Sequence, residues 1–121
     1  MKKILVIEDD FSLRKALSDK LKREGFEVFE ANDGEKGLEI ILNKKIDLIM
    51  LDILMPKMDG LTMYKKLKEN FGISGIPTII LTNLDDGEKI SEFFKIGVYD
   101  YLFKADWKLE DVINKVKEKL Q

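Results

Sequence analysis

Three short runs of almost unbroken apolar residues constrain the fold more than any other feature of the chain. They are Ile4 to Ile7, Ile46 to Leu51 with Asp47 near its start, and Ile79 to Leu81 after Ile76, Pro77 and Thr78. Their length and β-branching suit strands buried on both faces, as in a parallel sheet covered by helices. Two further segments, Phe26 to Ala31 and Val98 to Phe103, mix polar with apolar residues, as expected of strands at a sheet edge.

Between these strands the apolar period becomes helical. Leu13, Leu17 and Leu21, with Ala16 beside them, define a first helix closed near Gly25. Leu38, Ile41 and Leu42 define a second after Asn32-Asp33-Gly34, and Leu61, Tyr64 and Leu67 a third, with Asp59 as its cap. Ile90, Phe93 and Phe94 mark a fourth. The fifth aligns Leu109, Val112, Ile113, Val116 and Leu120, with Asp106 as the expected cap, Glu110 and Asp111 early, and Lys115, Lys117 and Lys119 late. That charge order opposes the helix dipole favourably.

Five strands alternating with five helices predict an α/β fold in which a five-stranded parallel sheet is covered on both faces, because right-handed crossovers allow little else. The most apolar strands, one, three and four, belong in the middle. This gives the order 2-1-3-4-5, a flavodoxin-like (βα)5 three-layer sandwich.

A chain of 121 residues, 45% apolar and 36% charged, predicts one globular domain over residues 1–121 with no output domain. Twenty-one basic and 23 acidic residues give a net charge of -2, with no separate basic run, so direct binding to nucleic acid is not expected. No apolar run spans a bilayer and the first residues do not resemble a signal peptide, so no membrane insertion is expected. The absence of cysteine is compatible with a cytoplasmic location. The chain also lacks histidine, and with it a common general base.

In an open parallel sheet, ligands bind outside the carboxyl ends of the strands. Here those ends carry Glu8-Asp9-Asp10, Asp52, Thr82 and Lys104. Singly, each has an ordinary explanation: aspartate and threonine cap helices, and lysine on a loop is solvated. Together they gather three or more carboxylates, a hydroxyl and an ammonium on one rim. Carboxylates at a partly desolvated rim raise one another's pKa unless a cation is present. An oxygen-only donor set suits a hard cation, Mg²⁺ best, with Mn²⁺ as a substitute. Such an ion would let an anionic phosphoryl donor approach Asp52, which can attack phosphorus as a carboxylate nucleophile.

Four segments carry a family resemblance: Ile4-Leu5-Val6-Ile7-Glu8-Asp9-Asp10, Asp47 through Met55-Pro56 to Asp59-Gly60, Pro77-Thr78-Ile79-Ile80-Leu81-Thr82, and Gly97 through Asp100-Tyr101-Leu102-Phe103-Lys104. In order and spacing, the chain resembles the CheY-like receiver domains of two-component response regulators. The resemblance implies Asp52 as phosphoryl acceptor, Asp9 and Asp52 as direct Mg²⁺ ligands, Glu8 acting through water, and the Leu54 carbonyl as a backbone ligand. It further implies Lys104 as a phosphoryl-oxygen partner, Thr82 as the switch hydroxyl and Tyr101 as the aromatic residue that moves with it; Asp10 is better read as a helix cap.

The implied function is a phosphorelay switch. It catalyses its own phosphorylation and dephosphorylation but does not turn over a substrate. The phosphoryl group would come from a phosphohistidine on a sensor histidine kinase or a histidine phosphotransfer protein, since this chain has no histidine. Output would be a change in the surface of the fourth helix, fifth strand and fifth helix, read by a downstream protein target, and a homodimer formed on phosphorylation stays open. Ile90 and Phe94 on the helix, with Tyr101 and Phe103 on the strand, are either partner surface or core.

The chain departs from the family pattern at Asn83, where a small residue is usual, and at Ala105, where proline is usual. A cis bond to a non-proline residue costs roughly 2.5–4 kcal/mol, so Lys104-Ala105 is expected trans, with Lys104 held differently and Asn83 partly filling the opening to Asp52. Leu54 and Leu84 stand where polar residues in some relatives align an attacking water, which predicts slow self-dephosphorylation. Three other readings compete. A degenerate receiver would bind without phosphorylation. A phosphatase like the haloacid dehalogenases would need an acid where Leu54 stands. A flavodoxin-like cofactor binder would need a phosphate cradle where Glu8-Asp9-Asp10 stand.

Overall fold

The computed structural model describes residues 1–83 and 86–121. Strands β1 (Lys3–Ile7), β2 (Glu27–Ala31), β3 (Leu48–Asp52), β4 (Thr78–Thr82) and β5 (Asp100–Phe103) alternate with helices α1 (Phe11–Arg23), α2 (Gly34–Asn43), α3 (Gly60–Phe71), α4 (Gly87–Lys95) and α5 (Leu109–Lys119). The sheet is parallel throughout, in the order β2-β1-β3-β4-β5. Both fold class and strand order are therefore as the apolar runs predict. Every residue of β3 and β4 is buried, whereas β2 and β5 are mostly half-buried, which separates inner from edge strands.

Alternation along the inner strands sorts their side chains into two cores. Leu5, Ile7, Ile49, Leu51 and Ile80 face Ile41 of α2, Leu61, Met63 and Leu67 of α3, and Phe93 of α4. Ile4, Val6, Leu48, Met50, Ile79 and Leu81 face Leu17 and Leu21 of α1 and Val112, Ile113 and Val116 of α5. Because these side chains are almost fully buried, each contributes on the order of 1.5–3 kcal/mol of hydrophobic stabilisation.

The helix starts follow local chemistry. Asp10, Asp33 and Asp59 each accept a hydrogen bond from the amide three residues on, at 3.1, 2.9 and 2.8 Å. The first helix ends as expected: Gly25, just past its C-cap Glu24, takes the left-handed conformation at φ +96°. The expectation for α5 is corrected. Its cap is Lys108, not Asp106, and Asp111 accepts from the Lys108 N–H at 3.1 Å. Asp106 instead donates its backbone N–H to the Phe103 carbonyl at 3.0 Å, in the turn that closes β5. Among the described residues, no helix is long and apolar enough to cross a membrane.

Candidate functional site

Strand register brings the candidate residues together. Ile7 lies opposite Leu51, which sets Glu8 level with Asp52 at the next step, and Thr82 lies opposite Phe103, one residue before Lys104. The Lys104 N–H donates to the Thr82 carbonyl at 2.7 Å and the Glu8 N–H to the Ala31 carbonyl at 3.0 Å, extending the ladder past the strands. The loop after β3 is pinned by the Gly60 N–H, which donates to the Ile53 carbonyl at 2.8 Å. A Cβ at Gly60 would stand 2.4 Å from the Asp52 carbonyl oxygen, so only glycine lets α3 start this close to the acceptor strand.

Asp52 is buried, with 3% of its surface exposed, and Glu8 is wholly buried. Lys104 Nζ reaches both, 2.9 Å from Asp52 Oδ1 and 2.9 Å from Glu8 Oε1. Glu8 Oε2 accepts the Asp10 N–H at 3.1 Å, while Arg14 Nη1 donates to the Glu8 carbonyl at 2.8 Å. Burial pushes the Asp52 carboxyl up to about 8; the hydrogen bond from Lys104 works against this, and the neighbouring Glu8 adds to it. Burial also works against the Lys104 ammonium, but its bonds to Glu8 and Asp52 prevail and its pKa lies above the usual lysine value.

Glu8, Asp9 and Asp52 each offer a carboxylate oxygen within 4.8 Å of the others. Among the described residues, Asp52 Oδ2 is buried without a hydrogen-bond donor. So is Glu8 Oε1, whose neighbour Nζ is close enough for an ion pair but poorly aligned for a hydrogen bond. Two orphaned acceptors beside an exposed third carboxylate form the environment that a hard cation completes. The residues present fit such an ion. The acidic cluster is of the kind that receiver domains use for Mg²⁺.

The other candidates separate. Thr82 is fully buried next to this cluster, and its hydroxyl donates to Asp86 Oδ2 at 2.9 Å. Tyr101 is 37% exposed and Phe94 40% exposed, their ring centroids 6.0 Å apart, and Phe103 meets Tyr101 edge-on at 5.2 Å. The core alternative therefore holds for Ile90, which packs against the α2–α4 side, and not for Phe94. Lys104-Ala105 is trans, as no cis bond occurs among the described residues. Lys104 reaches the carboxylates without the proline. Leu54 is 54% exposed at the rim, whereas Leu84 lies outside the described residues. A surface groove lined by Phe11, Arg14, Glu30, Asp33, Lys36 and Lys57 among others lies beside the cluster and includes none of its carboxylates.

Sequence reasoning missed two residues here. Arg14 reads as one more charge on the outer face of α1, and nothing in its spacing marks the contact with Glu8. Asp86, before Gly87, reads as a routine helix cap.

Comparison with known proteins gives the same picture. Residues 4–117 match the response regulator receiver domain family. The chain is 34% identical over 116 residues to the transcriptional regulatory protein CrdR of Helicobacter pylori, covering 96% of this chain and 54% of that protein. It is 34% identical over 121 residues to the transcriptional regulator RpaA of Synechocystis, covering all of this chain and 50% of that one. It thus spans about half the length of these relatives. Among solved structures, the receiver domain of the Francisella response regulator 1452 superposes with a TM-score of 0.86 at 31% identity, covering 99% of this chain and 97% of that one. Vibrio cholerae CheY4 superposes with a TM-score of 0.89 at 28% identity, covering 99% of each.

Proposed function

Because the chain belongs to the response regulator receiver family, whose members accept signals from histidine kinases and are not generally turnover enzymes, we propose that Asp52 is the phosphoryl acceptor of a two-component switch. The observation that carries this reading is the pairing of a buried Asp52 with Lys104 on one oxygen and no donor on the other, beside Glu8 and Asp9. Asp9 and Asp52 would hold Mg²⁺ directly, Glu8 through water and Leu54 through its carbonyl, with Mn²⁺ able to take the same place. A divalent ion so held neutralises the carboxylates and polarises the phosphoryl oxygens.

One carboxylate oxygen of Asp52 attacks phosphorus as the phosphorus–nitrogen bond of a partner's phosphohistidine breaks, and the imidazole leaves with a proton from solvent. Lys104 gives up part of its contact with Asp52 to pair with a phosphoryl oxygen. Thr82 turns its hydroxyl to another, and Tyr101 follows into the space this opens. The consequence is a changed surface over α4, β5 and α5, where Phe94, Tyr99 and Tyr101 already stand exposed. The donor would be a sensor histidine kinase or histidine phosphotransfer protein, met in the cytoplasm, and the target a protein bound at that surface. The full-length relatives are transcription regulators, so an output domain on the same polypeptide is one form this target can take.

Treatment with acetyl phosphate or phosphoramidate and Mg²⁺, read by intact mass, tests the proposal. The expected result is a single phosphoryl adduct that requires Mg²⁺ and is lost in Asp52→Asn. An adduct independent of Asp52, or none at all, would overturn it.

A further inference from the structure

Four of the five helices begin on an aspartate: Asp10, Asp33, Asp59 and Asp86. Three of them cap their own helix by accepting the amide three residues on. Asp86 does not. Its Oδ2 turns back toward β4, where it accepts the Thr82 hydroxyl at 2.9 Å and the Asn83 N–H at 3.0 Å. Helix α4 thus starts with a preferred capping residue whose side chain is engaged elsewhere.

We infer that Asp86 is a positioning residue: it holds the Thr82 hydroxyl away from Asp52 in the resting protein and turns to cap α4 at the Lys89 amide once that hydroxyl is recruited. This rests on the reading of Asp52 as acceptor and of Thr82 as the hydroxyl that moves. A hydroxyl has one proton to donate, so Thr82 serves Asp86 or a phosphoryl oxygen, not both. Among the described residues its other close acceptor is the carbonyl of the adjoining residue, Asn83, at the longer distance of 3.1 Å. Asp86 is itself buried, 9% exposed, and once the hydroxyl leaves, its Oδ2 keeps the Asn83 N–H alone, which favours a turn of the carboxylate toward a second donor. The nearest standard one is the amide that the other three aspartates already use, that of the third helical residue, here Lys89. Phosphorylation would then be felt at the first turn of α4 through one exchange of partners, which links the acceptor to the helix whose far end carries Phe94.

Calorimetric titration with beryllofluoride and Mg²⁺, a phosphoryl mimic at carboxylates, tests this in a double-mutant cycle. Asp86→Ala removes both the restraint on Thr82 and the later cap; because a buried hydroxyl bond to a carboxylate outweighs a cap bond, it is expected to tighten binding about three- to tenfold when Thr82 is present and to leave it nearly unchanged in Thr82→Val. Equal effects in both backgrounds, or weaker binding in the first, would overturn the inference while leaving Asp52 as acceptor. Amide exchange supplies a readout that mere loss of stability does not move. Beryllofluoride should slow exchange at Lys89 in the wild type and in Asp86→Asn, whose carboxamide can still cap, but not in Asp86→Ala. Unchanged Lys89 exchange in the wild type would overturn it. If Asp86→Ala does not fold, Asp86→Asn takes its place in the cycle with the same sign and a smaller effect. If the wild type binds no beryllofluoride, the acceptor reading falls and this inference with it.

Discussion

At the scale of single residues, the dominant quantity is the energy of a charge at Asp52. Its folded pKa of about 8 stands above the ordinary value of 3.8, so the metal-free native state binds more protons than the unfolded chain between those limits. The resulting stability is fully present below about pH 4 and is lost as pH rises through 8. Metal-free protein should therefore unfold at lower denaturant concentration at pH 8.5 than at pH 5, and Asp52→Asn should flatten that dependence. At pH 8 the same substitution should stabilise the metal-free protein by about 1–3 kcal/mol, because it removes a buried charge that burial opposes. A steeper pH dependence in Asp52→Asn would contradict this account. The carboxylates were legible in the sequence because each stands at a predictable strand end. Asp86 was not, since an Asp-Gly pair before a helix looks the same whether the side chain caps forward or reaches back. Leu54 belongs to this scale too. With an exposed apolar side chain and no polar group to hold an attacking water, the phosphorylated protein should lose label slowly, and a half-life of seconds would refute that.

Secondary-structure elements were easier to read than their joints. Three apolar runs and two mixed segments located the five strands, and the inner and outer ones separated because two-sided burial demands nearly continuous apolar sequence. The start of α5 was misread because Asp106 resembles a cap, whereas the turn after β5 uses Asp106 for its own hydrogen bond and leaves the helix to begin two residues later. The approach of α3 to β3 was also invisible in the sequence, since a glycine beside an aspartate announces a turn and not a contact with another strand's carbonyl. Both features of this joint can be tested. Asp59→Ala removes a cap bond of 2.8 Å and should cost about 1 kcal/mol in chemical denaturation. Gly60→Ala should cost more, about 1–3 kcal/mol, because its Cβ would force α3 away from the Asp52 carbonyl. It should also slow phosphorylation in proportion to how far it displaces the acceptor. If the two substitutions cost the same and leave phosphorylation intact, the close approach has no role in placing Asp52.

For the whole molecule, the site is a place where the fold tolerates cost in exchange for binding. Two apolar cores bury the central strands on both faces, and at their carboxyl ends stand two buried oxygens that find no donor among the described residues and an aspartate whose pKa burial raises. A ligand that relieves those costs must stabilise the native state globally, by about 2.7 kcal/mol at a concentration one hundred times its dissociation constant. Saturating Mg²⁺ should therefore raise the thermal midpoint by several degrees, about 2–8 °C for each kcal/mol in domains of this general size. The sign of its pH dependence follows from Asp52: bound metal requires the carboxylate, so the proton must leave first. The shift should be small at pH 5 and grow toward pH 8.5, opposite to the trend of the metal-free protein, so that the two stability profiles converge at acid pH and separate at alkaline pH. Asp9→Asn should abolish most of the shift while leaving the metal-free midpoint nearly unchanged, since Asp9 is exposed and no hydrogen bond of the described residues depends on its side chain. A shift of equal size at pH 5 and pH 8.5, or one that survives Asp9→Asn intact, would mean that Mg²⁺ stabilises the protein from somewhere other than the ends of β1 and β3.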